Sequence, residues 1–109
     1  KEIKYINFYK DFITIKQLAN IFNLILKKKI IGTYNVSLGK KIYIKEIIKW
    51  LNTYNKNNNI FLEEKKSKKY LEKYSFTLNN NKLSKKINYT PKKKELQEYC
   101  IKLSKKIHT

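Results

Sequence analysis

Hydrophobic positions change period along the chain, and the changes divide it into elements. Ile3, Tyr5, Ile6 and Phe8 alternate with polar residues, with one slip, which predicts a short strand or extended lead-in. Beyond it the apolar spacing lengthens to three and four. Ile15, Leu18, Ala19, Phe22, Ile25 and Leu26 mark the buried face of a helix over residues 15–28. Ile21 and Leu24 widen that face, so the helix is expected to touch two neighbouring elements. Asp11 and Thr14 are both candidate N-caps. Thr14-Ile15-Lys16-Gln17 has the form of a capping box, in which a hydroxyl and a side-chain amide each satisfy a backbone N–H at the helix start. Lys27, Lys28 and Lys29 suit the negative end of the helix dipole.

The only two glycines, Gly32 and Gly39, bracket Thr33-Tyr34-Asn35-Val36, a run of strand formers. This unit predicts a strand and a tight loop, followed by a helix over residues 44–54. That helix carries Ile44, Ile47, Ile48 and Leu51 on one face, with Trp50 beside them as a core residue. Asn55 to Asn59 read as a loop and Ile60-Phe61-Leu62 as a short strand. Residues 63–73 read as a charged connection with a helical turn around Tyr70 and Leu71. Tyr74-Ser75-Phe76-Thr77-Leu78 is strand-like, and Asn79 or Asn80 caps a short helix through Leu83 and Ile87. Pro91 disfavours helix at Thr90, so residues 88–91 form a turn. The last helix, residues 93–107, places Leu96, Tyr99, Cys100, Leu103 and Ile107 on one side, a face that needs a cover. The pattern as a whole is α/β, with three main helices and short strands.

Length and composition narrow the picture. A chain of 109 residues supports one small domain or part of one. It opens on Lys1 inside an alternating pattern, which fits a fragment or a processed form. No run of about eighteen apolar residues exists, so no membrane span is expected, and no signal-peptide pattern is present. The single Cys100 makes no internal disulfide and suits a small apolar filler in a reducing, cytoplasmic protein. The net charge of +18 suggests a polyanion partner. All 26 basic residues are lysine, however, spread over the whole length. Arginine is the residue that forks onto phosphate and guanine. The charge therefore points to nonspecific, salt-sensitive polyanion attraction, and a small basic nucleic-acid-binding or interaction protein stands as the alternative class.

Several chemistries are excluded by residue type. Two glycines do not make a phosphate-cradling loop, and one cysteine with one histidine does not make a zinc site. His108 lies at the fraying end, and adjacent Glu63 and Glu64 point to opposite faces of a strand. Tyr89 and Lys93 have a Tyr-x-x-x-Lys spacing, but Pro91 falls inside it and breaks the helical turn that the pair requires. No catalytic residue is assigned.

Three ordered blocks remain. Lys10-Asp11-Phe12-Ile13-Thr14-Ile15-Lys16-Gln17-Leu18-Ala19 resembles the Arg-Asp-Phe-Ile-x-Val-x-Asp-Leu-Ala segment of the extended short-chain dehydrogenase/reductase family, the NAD-dependent epimerases and dehydratases that act on sugar nucleotides. Gly32-Thr33-Tyr34-Asn35-Val36-Ser37-Leu38-Gly39 resembles that family's Gly-x-Tyr-Asn-Val-Gly-x-Gly, and the helix after it corresponds as well. The run from Ser75 to Leu83 with Ile87-Asn88-Tyr89-Thr90-Pro91-Lys92 is similar to its late short helix and turn.

The resemblance implies that residues 1–109 are the C-terminal, substrate-binding portion of a Rossmann-type enzyme. The dinucleotide-binding half, with its glycines and its Tyr-x-x-x-Lys, would lie upstream and is missing here. It further implies a sugar-nucleotide ligand, NAD or NADP bound by the intact protein and not by this portion, and substrate contacts at Lys10, Asp11, Tyr34 and Asn35. Lys10 stands where the family has a phosphate-binding arginine. It supplies the charge without the bidentate fork. Gln17 and Ser37 replace an acid and a glycine of the pattern, and no Arg-Pro-Gly-like loop lies between Leu62 and Ser75, so a reductase-like or degenerate member also fits.

Overall fold

A computed structural model describes residues 2–56 and 59–108. Their elements run β1 (Glu2–Tyr5), β2 (Tyr9–Lys10), α1 (Ile15–Lys27), β3 (Ile42–Tyr43) and α2 (Ile44–Leu51), then β4 (Ile60–Glu63), α3 (Lys68–Tyr74), α4 (Asn81–Ile87) and α5 (Lys93–Ile107). The fold is mixed α/β, five helices and four short strands among the described residues. Asn57 and Asn58 of the expected loop lie outside them.

The helix starts follow local chemistry. Thr14 Oγ1 accepts from the Gln17 N–H at 3.0 Å and Gln17 Oε1 accepts from the Thr14 N–H at 2.9 Å, which closes the capping box of α1. Ser67 Oγ accepts the Tyr70 N–H and starts α3, a full helix where the sequence suggests only a turn. Glu46 starts α2 by accepting the Tyr43 N–H at 2.9 Å, and Lys93 from the start of α5 donates to the same carboxylate at 2.6 Å. Burial pushes the Glu46 carboxyl up. The Lys93 hydrogen bond, the Tyr43 N–H and the Lys93 charge outweigh that and hold it below its ordinary value.

Two small sheets tie distant segments together. Strand β1 pairs with β4 in parallel, Ile3 opposite Phe61, so everything from β2 to α2 forms the crossover. Strand β2 pairs with β3 in antiparallel, Tyr9 opposite Tyr43 and Lys10 opposite Ile42. Residues 33–36 and 74–78, expected as strands, belong to neither sheet. Tyr74 ends α3; the Phe76 N–H donates to the Tyr9 carbonyl of β2 at 3.3 Å, but that single backbone bond does not extend into a ladder, and residues 33–36 meet no ladder partner among the described residues.

Apolar side chains gather in two clusters. The first joins Leu38, Ile42, Trp50, Leu96 and Cys100, with Phe12, Ile47, Leu51 and Ile101 packed around them. Trp50 and Cys100 are core residues, as expected, and burial pushes the Cys100 thiol up. The second joins Ile21, Leu83 and Ile87 with Ile13, Leu24, Ile25, Tyr34, Val36 and Tyr89. On α5 the buried line is Leu96, Cys100 and Ser104, whose hydroxyl accepts the Tyr54 N–H at 3.0 Å. Tyr99 and Ile107, expected inside, face out.

The orientation of α1 departs most from its apolar pattern. Gln17 and Ile21 are buried, whereas Ile15 is 82% and Leu26 77% exposed and Phe22 is half exposed. The turn of the helix has two causes. Leu83 and Ile87 of α4 meet the Ile21 side, and Gln17 Nε2 donates to the Lys92 carbonyl at 3.0 Å and to Glu95 Oε1 at 3.2 Å. The whole is a thin layer of 51 × 39 × 14 Å with a radius of gyration of 16.6 Å, where a closed domain of this length has about 13 Å.

Candidate ligand-binding site

Asp11 follows the last residue of β2, and its carboxylate is the meeting point of three segments. Oδ1 accepts the Leu38 N–H at 2.7 Å, and Oδ2 accepts the Gly39 N–H at 2.9 Å and the Leu78 N–H at 3.2 Å. An ionised carboxylate suits three backbone donors, because it is acceptor-only and makes strong charge-assisted bonds. Further side-chain bonds rivet residues 35–39 to residues 78–80. Ser37 Oγ donates to the Leu78 carbonyl at 2.9 Å, Asn80 Nδ2 donates to the Ser37 carbonyl at 2.8 Å, and Asn35 Nδ2 donates to the Asn79 carbonyl at 3.1 Å. Gly39 has φ +73°, and a Cβ there would lie 3.0 Å from the Asn80 amide, so glycine serves both the turn and the close approach.

This clamp borders open space. A cavity of about 320 Å³ is lined by Gly39, Thr77, Leu78, Asn79, Asn80 and Asn81. An adjoining groove of about 590 Å³ shares Asn79 and Asn81 with it and adds Lys82, Lys85 and Lys86. Asn80 holds the N-cap position of α4, one of the two expected, but makes no side-chain cap bond; its amide is drawn to Ser37, and Asn79 Oδ1 accepts the Asn81 N–H at 2.9 Å instead. Amides donate and accept, and ammonium groups only donate. The lining therefore suits a ligand that carries hydroxyls at one end and anionic oxygens at the other.

The four predicted site residues take different places around the clamp. Asp11 has both oxygens engaged by backbone and acts as the frame. Asn35 binds the frame through its amide and is exposed. Tyr34 packs into the second cluster, its hydroxyl donating to the Ile31 carbonyl at 3.0 Å, and Lys82 of the groove stands 4.9 Å over its ring. Lys10 rests its ammonium 4.4 Å from the Phe76 ring and 5.6 Å from the Phe8 ring, and it lines neither the cavity nor the groove. Ser37, Lys82, Lys85 and Lys86 also belong to this region, though the sequence alone does not single them out. The signal for Ser37 was its place in the glycine-bracketed unit, and the lysines of α4 were hidden by the abundance of lysine everywhere.

Tyr89 and Lys93 do not act together. Tyr89 lies in the second cluster, where burial first and the Glu95 charge second push its hydroxyl up, with the Asn20 amide partly opposing. Lys93 instead stands 6.0 Å from the Trp50 ring and pairs with Glu46. Among the described residues no helix is long and apolar enough to cross a membrane. Compared with known proteins, the chain matches no family model, no curated protein and no solved structure.

Proposed function

We propose that this chain is the substrate-binding portion of a cytoplasmic, NAD(P)-dependent sugar-nucleotide epimerase, dehydratase or reductase, and that it supplies substrate contacts without catalysis. One observation carries the reading: the three blocks on which the family resemblance rests converge on the Asp11 carboxylate. Where they converge, the surface offers asparagine amides beside lysine ammonium groups, the donors that a sugar and its diphosphate require. The chain's own residues do not fit a nicotinamide dinucleotide, since two separated glycines make no phosphate loop and Pro91 breaks the Tyr-x-x-x-Lys turn. Cofactor binding and proton transfer fall to the other half of the enzyme in this reading. Among the described residues six lysines lie over aromatic rings of the same chain, which occupies faces that a single-stranded nucleic acid would need for stacking.

A titration followed by backbone amide resonances tests it. Sugar nucleotides of uridine, guanosine and thymidine are the probes, with mixed-sequence duplex DNA as the comparison. The expected result is a set of shifts confined to Asn35, Gly39 and residues 79–86, abolished by Asn79→Ala with Lys85→Ala, and no NADH formed with any of them. Shifts spread over lysines throughout the chain, the same for DNA and erased by moderate salt, would replace the reading with simple polyanion attraction.

A further inference from the structure

Two features around the second cluster, a run of backbone N–H groups and an apolar helix stripe, find no partner among the described residues. The first is backbone. Thr33 and Asn35 face out while Tyr34 and Val36 pack inward, the alternation of a one-sided strand. Yet no backbone N–H of residues 31–37 finds an acceptor among the described residues. Such a row of open donors is a strand edge awaiting another strand. The second feature is the exposed side of α1, where Ile15, Ala19, Phe22 and Leu26 recur at intervals of four, three and four. They form one stripe about 16 Å long. Beyond the turn that follows α1, Ile31 is 88% exposed.

Size and charge say what covers this face. The accessible surface is 8343 Å², against about 6,400 Å² for a closed protein of this mass. The excess of about 1,900 Å² is what one side of a large, permanent interface buries. Every charged residue from Phe12 to Lys45 is a lysine, and the chain carries +18 overall, so a second copy would be repelled. An anionic bilayer would match the lysines and the stripe. It would strand the open N–H groups in an apolar phase, a costly arrangement.

We propose that this face docks against an acidic protein that offers an open β-sheet edge. Residues 33–36 add a strand to that edge, and the α1 stripe covers apolar surface beside it. Main-chain bonds give the attachment its register, and the stripe together with the lysine rim gives it selectivity. The proposal stands on hydrogen bonds, surface and charge alone, and holds whether or not the asparagine-lysine groove takes a sugar nucleotide.

Site-specific cross-linking tests it, with p-benzoylphenylalanine placed at Phe22 in one sample and at Thr33 in another, irradiated in the living cell. The expected result is that both positions capture the same acidic polypeptide, the Thr33 adduct falling in a strand-forming segment. Thr33→Pro removes one donor from an exposed position and should cut the Phe22 adduct about tenfold, the effect of one lost hydrogen bond on a binding constant. Phe22→Asp, on the exposed stripe, should cut the Thr33 adduct at least as far. The helix content of both variants is checked by circular dichroism. Adducts with two different molecules, with a second copy of this chain or with lipid overturn the proposal, as does the absence of adducts at both positions. Protection of the α1 and 31–37 amides from hydrogen exchange by equimolar phosphatidylglycerol and phosphatidylcholine vesicles also overturns it, in favour of a membrane surface.

Discussion

The two apolar clusters are built from similar residues and end in opposite conditions. Around Trp50, helices α2 and α5 cover one another, the Glu46–Lys93 pair closes one end and the Tyr54–Ser104 bond closes the other. Around Ile21, the fifteen-residue α5 is replaced by the seven-residue α4, which reaches Ile21, Leu24 and Ile25 and leaves the neighbouring stripe of α1 bare. An apolar stripe is buried only as far as the element opposite it extends. The difference separates a part of the chain that can hold itself together from a part shaped for something else.

The sharpest way to break that contrast is Trp50→Ala. Removal of the largest side chain of the closed cluster should cost about 3–5 kcal/mol, a large share of the roughly 5–15 kcal/mol that holds a domain folded. Urea denaturation followed by helical circular dichroism reads it directly. An unchanged midpoint would mean that the closed cluster does not carry the stability of the chain.

Asp11 links the halves of that comparison, because Leu38 belongs to the closed cluster while the segment around Leu78 leads into α4. Asp11→Ala leaves the N–H groups of Leu38, Gly39 and Leu78 without their acceptor, a loss on the order of 3 kcal/mol. Asp11→Asn keeps one carbonyl acceptor and should lose less. Hydrogen exchange is expected to accelerate at residues 38–39 and 78 while the central amides of α5 stay protected. Uniform acceleration over the whole chain would show instead that the clamp and the closed cluster unfold as one unit.

How much of this the residues reveal by themselves depends on where each hydrogen bond and each apolar face finds its partner. The capping box at Thr14 and Gln17, the last helix and the core place of Trp50 were readable because their causes lie within a few residues. The strand formers at 33–36 were readable as strand formers only. A strand exists as a ladder, and its partner is no neighbour in sequence. The rotation of α1 was hidden for the same reason. Its apolar arc is wide enough to face two ways, and Gln17 is drawn to Lys92 and Glu95, seventy-five and seventy-eight residues away. At the candidate site, Asp11 and Asn35 stood out by their place in ordered blocks. The joining of residues 35–39 to residues 78–80 depends on bonds across some forty residues, which spacing does not encode.

The smallest expected effect on folding is the most telling for the open cluster. Leu26 ends the bare stripe of α1, and Leu26→Gln exchanges an exposed apolar side chain for a polar one with good helix propensity, so the stability of the chain alone should change by less than about 0.5 kcal/mol. Ile21→Ala, on the covered side of the same helix, should cost about 2–4 kcal/mol. Thermal unfolding of the two variants beside the parent chain measures both. If Leu26→Gln is as damaging as Ile21→Ala, the stripe is already covered within the chain and the open face does not exist. If the chain tolerates it and the Phe22 cross-link is lost with it, folding and docking are served by different sides of one helix, and the exposed side is kept apolar for its partner.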